Sequence, residues 1–319
     1  MSVDTATESA PAAESAVLPT VTVVIPTRDR PEMLKRAVEA VLGQTYSGDV
    51  ECIAVFDQSD PEPIDVEIGP RRTLRAVRNS RNPGLAGARN TGVLSATGSL
   101  IAFCDDDDEW MPGKLEQQVE LLTINPKTVI VGCGIVMRQG EVDIAVKPGA
   151  ATVTLDDLLR SRVLELNPCT LLARLDFFRD RVGLVDESLP GGYAEDYDWL
   201  LRAASLTSIP MISAPLVRIN WHRGSFFQSR WATIVDSLTY LLAKHPEFER
   251  SPQGRGRILG QIAFAQAAQG KRRQARQTAG RCLRSNWLEP RAYLALAVAF
   301  HLLSPELVLR AAHARGKGI

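Results

Sequence analysis

Leu100-Ile101-Ala102-Phe103-Cys104-Asp105-Asp106-Asp107-Asp108 is the stretch that decides the fold. Its first half is a short apolar run, the pattern of a buried strand, and its second half is four adjacent carboxylates. Like charges at neighbouring positions repel, so an ordinary core would not keep them at a strand end. A bound divalent cation removes that repulsion. Mg2+ or Mn2+ prefers oxygen ligands, often takes only one or two carboxylates, and completes its shell with substrate phosphates. The competing reading is a solvated acidic turn that caps a helix starting near Pro112. The hydrophobic strand before the aspartates, and Glu109-Trp110-Met111-Pro112 after them, favour the cation.

Outward from this point the pattern alternates. Val21-Thr-Val-Val-Ile-Pro26 is a β-branched run bounded by proline, hence a buried strand. Pro31 suits the first turn of a following helix, whose apolar face is Leu34, Ala37, Val38, Val41 and Leu42. Val50–Phe56 is the next strand, Leu74–Val77 a third, and Gly84–Ala96 a second helix. Alternating strands and helices predict an α/β fold with a mainly parallel central sheet. Ligands in such sheets bind beyond the carboxyl ends of the strands. Thr27–Arg30, Asp57 and the four aspartates all fall there. Beyond Met111 the expected elements are a strand over Thr128–Met137, a helix over Thr154–Leu159 and a strand over Pro168–Ala173. A helix over Glu195–Ala204 and a last strand over Pro215–Ile219 follow.

Residues 1–19 read as a disordered leader, 20–228 as the body and 229–319 as a basic α-helical C-terminal region. The helical region has Ala-rich stretches at 258–268 and 292–303, and 267–290 is similar in pattern to a tetratricopeptide-like hairpin. No second copy follows at a fixed period, so a repeat array is not expected. Net charge is zero, which argues against nucleic acid as a partner, but the charge is unevenly placed. Residues 251–319 hold 12 Lys/Arg against two acidic residues, a net +10 balanced by −10 in the first 250. The five cysteines are scattered in mostly apolar surroundings with no CxxC, so buried reduced thiols are expected rather than zinc. Asp4, Glu8 and Glu14 stand where a signal peptide needs basic residues, and the longest apolar run falls short of a membrane span. A cytoplasmic protein is expected.

Five motifs in order then acquire a common meaning. They are Ile25-Pro26-Thr27-Arg28-Asp29-Arg30-Pro31, Asn82-Pro83-Gly84-Leu85-Ala86-Gly87-Ala88-Arg89-Asn90, and Phe103–Trp110. Val182–Leu189 and Ala194-Glu195-Asp196-Tyr197-Asp198-Trp199 complete the set. Together they resemble the family 2 glycosyltransferases over roughly residues 20–225. The resemblance implies a GT-A fold and a donor that is a nucleoside-diphosphate sugar. It implies that Asp57 hydrogen-bonds the nucleotide base, that Pro26 and Thr27 line the same pocket, and that Arg89 approaches the base or the phosphates. Asp105 and Asp107 match the outer members of the DxD motif, Asp105 touching ribose or a metal-bound water and Asp107 holding Mn2+ or Mg2+. Asp106, between them, belongs to the same donor-binding turn. Asp196 matches the catalytic base, and His222 resembles a late histidine that reaches the metal or diphosphate. Phe56-Asp57-Gln58 departs from the family's paired aspartates, and Asn220-Trp221 precedes His222 where an Arg-x-His pattern is common.

The chemistry is coherent without the family name. Sugar transfer makes the glycosyl centre cationic while a diphosphate leaves, and a metal across the phosphates stabilises the leaving group. One carboxylate can take the acceptor's proton, which suits direct displacement with inversion. A nucleotidyltransferase would carry a Gly-rich basic loop after the first strand, and Thr27-Arg28-Asp29-Arg30 has no glycine. A catalytically silent nucleotide-sugar-binding module would not require Asp105, Asp107 and Asp196 together. The acceptor, a hydroxyl on a glycan, lipid-linked or small molecule, is expected at the loops 138–170 and 186–194. The basic region 251–319 is expected either to meet an anionic partner, such as the inner membrane surface, or to pack on the acidic body.

Overall fold

The computed structural model describes residues 17–140, 142–220 and 230–313. The first half runs β1 (Val21–Thr27), α1 (Pro31–Leu42), β2 (Val50–Phe56), β3 (Arg72–Arg78), α2 (Leu85–Ser95), β4 (Leu100–Phe103), β5 (Glu109–Trp110) and α3 (Lys114–Ile124). It continues with β6 (Ile130–Gln139), β7 (Val142–Val146), β8 (Thr152–Val153), α4 (Leu155–Arg160), β9 (Leu172–Arg174), α5 (Glu195–Leu206) and β10 (Ile209–Asn220). Five helices follow: α6 (Trp231–Lys244), α7 (Pro252–Ala268), α8 (Arg272–Ser285), α9 (Pro290–Ala299) and α10 (Pro305–His313).

One sheet runs in the order β3-β2-β1-β4-β9-β6-β10-β5, with β7 on β6 and β8 on β10. Strands β3, β2, β1 and β4 are mutually parallel, as are β6 and β10, while β9 is antiparallel to both β4 and β6. The expected strand over 168–173 is shorter than its sequence suggests. Pro168–Thr170 forms a 3-10 turn, because proline offers no N–H to the ladder, and pairing begins at Leu172. The last strand is longer than expected and carries a register break around Pro215.

Strands β1 and β2 are buried on both faces, which is why they read as continuous apolar runs. Side chains alternate across the sheet. Val24 joins a core with Ile53, Phe103, Phe178 and Trp199, whereas Val23 and Ile25 join Leu34, Val38 and Leu115 under α1 and α3. Edge strand β3 is covered with arginines that discourage further pairing. Arg72 also donates to the carbonyls of Leu42, Gln44, Tyr46 and Gly48, fastening the loop after α1.

The C-terminal helices have their own core around Leu259, Phe264, Ala279 and Ala295. They also grip the sheet-bearing part, among other contacts, through α7 and through the end of α6. Helix α7 lies so close to α4 that a Cβ on Gly254 would stand 1.7 Å from the Leu159 carbonyl oxygen. At the end of α6, Lys244 Nζ and His245 Nε2 reach the fully buried Asp198 of α5 at 2.8 and 2.9 Å, and Arg202 adds a third contact at 3.0 Å. Burial alone would push the Asp198 carboxyl up. The bonds from His245 and Lys244 and the Arg202 charge outweigh it and hold the group at about 2.

Candidate active site

Parallel neighbours β2, β1 and β4 deliver Asp57, Thr27 and Asp105–Asp108 to one end of the sheet. Asp57 is buried, and its oxygens accept from Asn79 Nδ2 at 2.8 Å, Gln58 Nε2 at 2.9 Å and the Gly84 N–H at 3.0 Å. Burial acts to raise this carboxyl, but those bonds overcome it and hold the group below the usual range. Gly84 has φ of +116°, which lets its N–H face Asp57 just before α2 begins. Asp57 therefore also braces the turn that carries the Asn82–Asn90 motif.

In the acidic turn each aspartate has a different neighbour. Thr27 Oγ1 donates to Asp106 at 2.8 Å, and Arg30 bridges Asp106 and Asp107 at 3.1 and 3.2 Å. Arg89 Nη2 donates to Asp105 at 2.8 Å. Asp108 accepts from the Asn220 N–H and from Cys169 Sγ, each at 3.2 Å, while Cys169 Sγ accepts from the Asp105 N–H at 3.1 Å. Burial, then the charges of Asp105 and Asp107, push the Asp108 carboxyl up to about 8. Ligand atoms of Asp105, Asp108 and Cys169 lie within 4.8 Å of one another, a group able to hold a divalent ion. Its two carboxylates suit a hard cation, and the thiol is committed to Asp108 as a donor. Cys169 thus occupies a polar setting, unlike the apolar one expected for the cysteines.

Arg89 is buried and ties the acidic turn to the head of α5, since Nη1 donates to Glu195 at 2.8 Å while Nη2 holds Asp105. Burial, then the neighbouring Asp196, raise the Glu195 carboxyl, and the Arg89 charge only partly offsets them. Ala194, before the helix, adopts φ of +69°, a left-handed conformation costly for a residue with a Cβ. Beyond it Glu195 is buried, whereas Asp196 stays partly accessible. Arg162 Nη2 contacts both Asp196 oxygens at 2.8 Å, and the Tyr197 N–H donates to Oδ1 at 2.7 Å. A pocket lined by Arg89, Phe103, Phe178, Asp196 and Trp199 lies between these groups. Trp199 stacks on Phe178 with centroids 4.2 Å apart, making one wall.

Other motif residues act as fasteners. Asn90 exchanges two hydrogen bonds with the Val185 backbone, and Glu187 accepts from Arg81 and Asn90. Asp186 accepts from Lys244, Tyr240 and the Ser188 N–H. Pro26 is buried in the next-to-last position of β1. His222 lies outside the described residues. Cys169, Glu195 and Arg162 are site residues that the sequence did not single out.

The family model for glycosyl transferase family 2 matches residues 22–167. A glycosyltransferase of Rickettsia prowazekii is 28% identical over 213 residues, 64% of each chain, and one of Rickettsia bellii is 32% identical over 220 residues, 65% of this chain and 31% of its own. This chain thus spans less than two thirds of either relative. An Escherichia coli UDP-Glc:α-D-GlcNAc-diphosphoundecaprenol β-1,3-glucosyltransferase is 30% identical over 112 residues, 35% of this chain and 44% of that one. Among solved structures, Staphylococcus aureus TarS 1–349 with UDP-GlcNAc has a TM-score of 0.59 at 15% identity, covering 93% of this chain and 92% of TarS. A Pyrobaculum calidifontis mannosyltransferase with GDP-Man and Mn2+ has a TM-score of 0.53 at 18% identity, covering 91% and 82%. With the motifs, the parallel sheet and the acidic turn in agreement, residues 22–167 carry a glycosyl transferase family 2 domain, within a GT-A-like fold.

Proposed function

We propose that this chain is an inverting glycosyltransferase that moves a sugar from a nucleoside-diphosphate donor to an acceptor hydroxyl with the help of Mn2+ or Mg2+, in the synthesis of a cell-surface glycan or glycoconjugate. The observation that carries this reading is the Asp105–Arg89–Glu195 chain, which joins a cation-competent acidic turn to the helix head bearing Asp196. Residues 20–228 supply the chemistry and 229–319 the helical extension. Pro26, Thr27 and Asp57 hold the nucleotide, Asp105 and Asp106 receive the sugar-diphosphate end, and Asp107 would hold the cation. The cation, once bound, screens the diphosphate charge as it leaves. Asp196 accepts the acceptor's proton as the hydroxyl attacks. His222 is the remaining proposed contact to the diphosphate. Thr27-Arg28-Asp29-Arg30 again weighs against nucleotidyl transfer.

Calorimetry with a panel of nucleotide sugars tests the reading. One of them binds in the presence of Mn2+ or Mg2+, and Asp107→Asn abolishes that cation-dependent binding in a chain that remains folded. Full donor affinity and activity in the variant would remove Asp107 from the cation site.

The extension also supports attachment to an anionic membrane surface at the cytoplasmic face. Trp287, Leu288, Phe300 and Leu302 are exposed, and the Arg276 guanidinium lies 5.4 Å from the Phe300 ring. Arg272, Arg273, Arg281 and Arg284 stand exposed on the same helix as Arg276. No helix among the described residues is long and apolar enough to cross a membrane. Each basic residue near an anionic surface is worth about 1 kcal/mol, and salt screens it. The full chain therefore co-sediments with phosphatidylserine vesicles at low salt and is released at high salt. Indifference to such vesicles would leave the extension a packing element alone.

A further inference from the structure

Tyr197 on α5 lies under two guanidinium groups from different parts of the chain. The Arg162 carbon is 5.2 Å from its ring centroid and the Arg257 carbon 5.6 Å. Arg257 Nη2 also donates to the Tyr197 hydroxyl at 2.9 Å. A third guanidinium belongs to Arg291, at the start of α9. Its Cβ would be 3.0 Å from a Cβ on Gly260, one turn along α7 from Arg257. The charges of Arg162, Arg257 and Arg291 all act on the Tyr193 phenol, as does that of Asp196.

The partners do not balance. Arg162 is paired with Asp196, and Arg291 with Glu289 at 2.8 Å. Arg257 pairs with no carboxylate among the described residues. Its Nε is buried without a hydrogen-bond partner, and so is that of Arg291. A structural arginine in such a place ordinarily brings its own anion, because an uncompensated buried charge is costly. Here Arg257, which lacks a carboxylate partner, and Arg291, which has one, each keep an unused Nε–H donor.

We propose that this cluster is a binding site for a phosphate group carried by the acceptor, held by Arg257 and Arg291 and lying next to Asp196. The assignment to the acceptor rests on the glycosyltransferase reading. Guanidinium forks match the oxygens of a phosphate, and donors from two helices suit its tetrahedral shape. The donor's own diphosphate belongs at the acidic turn, whose residues include neither Arg257 nor Arg291. An acceptor anchored by its phosphate at Arg257 would present a neighbouring hydroxyl to the Asp196 carboxylate.

Inorganic phosphate is the first probe, titrated into the full chain with EDTA present so that no cation can recruit it to the acidic turn. Binding in the millimolar range is expected. Arg257→Gln and Arg291→Gln should each weaken it by roughly tenfold, with Arg257→Lys in between because it keeps the charge but loses the fork. Circular dichroism checks that each variant is folded, and Arg36→Gln, at an exposed position on α1, leaves phosphate binding unchanged. Competition by glycerol 3-phosphate and by farnesyl phosphate separates a soluble from a lipid-borne phosphate, either result supporting the site. No binding at tens of millimolar phosphate, or undiminished binding in both folded glutamine variants, overturns it. Nucleotide-sugar binding with Mn2+, measured on the same samples, reports on the glycosyltransferase reading separately.

Discussion

Asp196→Asn lowers turnover by ~10²-fold or more, the usual contribution of a general base, while donor and cation binding stay close to those of the unaltered chain. The geometry explains the split. Asp196 is not among the residues grouped around the acidic turn, and it lines the pocket from the α5 side. Among the described residues, Oδ1 receives both Arg162 and the Tyr197 N–H, whereas Oδ2 receives Arg162 alone. A carboxylate oxygen has room for a second proton donor, so Oδ2 can take the hydroxyl that the proposed base function requires. Asparagine keeps the size of the side chain and loses the charge that draws the proton. Single-turnover kinetics and calorimetry on one preparation check the result. Weakened donor binding with turnover preserved would make Asp196 a helix-capping residue instead.

Arg89→Met should be the most damaging substitution for stability, at roughly 3–5 kcal/mol, or a fall in Tm on the order of 10 °C. Removing the guanidinium leaves Asp105 and the buried Glu195 without the cation that separates them. The pH dependence follows from the direction of the Glu195 shift. Burial, then Asp196, hold that carboxyl above its ordinary value in the folded chain, and loss of Arg89 raises it further. Folding the variant then requires a proton that the unfolded chain lacks at neutral pH. The Glu195 share of the deficit is therefore small in mild acid, where both folded chains hold the proton, and grows as pH rises through about 7 into mild alkali, where only the unaltered chain ionises this group. Thermal melts of both proteins between these limits test this. Equal stability at neutral pH would mean that Arg89 serves the site without supporting the fold.

Local pattern made much of this architecture readable. β1, β2 and β4 announce themselves because strands covered on both faces need unbroken apolar runs, and their polar tips at Thr27, Asp57 and Asp105 then had to converge. The head of α5 was legible through its acidic motif. What escaped were partnerships between distant segments. Cys169 looked like one more buried thiol, yet it bonds Asp105 and Asp108 more than sixty residues earlier in the chain. Arg162 comes from a loop and meets Asp196 across 34 positions. Glu195 and Asp196 are adjacent in sequence and similar in chemistry. Only packing around the left-handed Ala194 commits the first to Arg89 and leaves the second to the pocket.

The clasp on Asp198 bears on how such chains can be recombined. This buried carboxylate lies two residues beyond Asp196 and takes two of its three cationic or imidazole contacts from the end of α6. A hybrid that kept the sheet and took its C-terminal helices from a relative would leave Asp198 with Arg202 alone, unless the donor helix carried a lysine and histidine in the same register. The graft would fail at the α5 junction, however well the new helices packed among themselves. Swapping partners within this family therefore requires moving positions 186, 198, 244 and 245 as a single block.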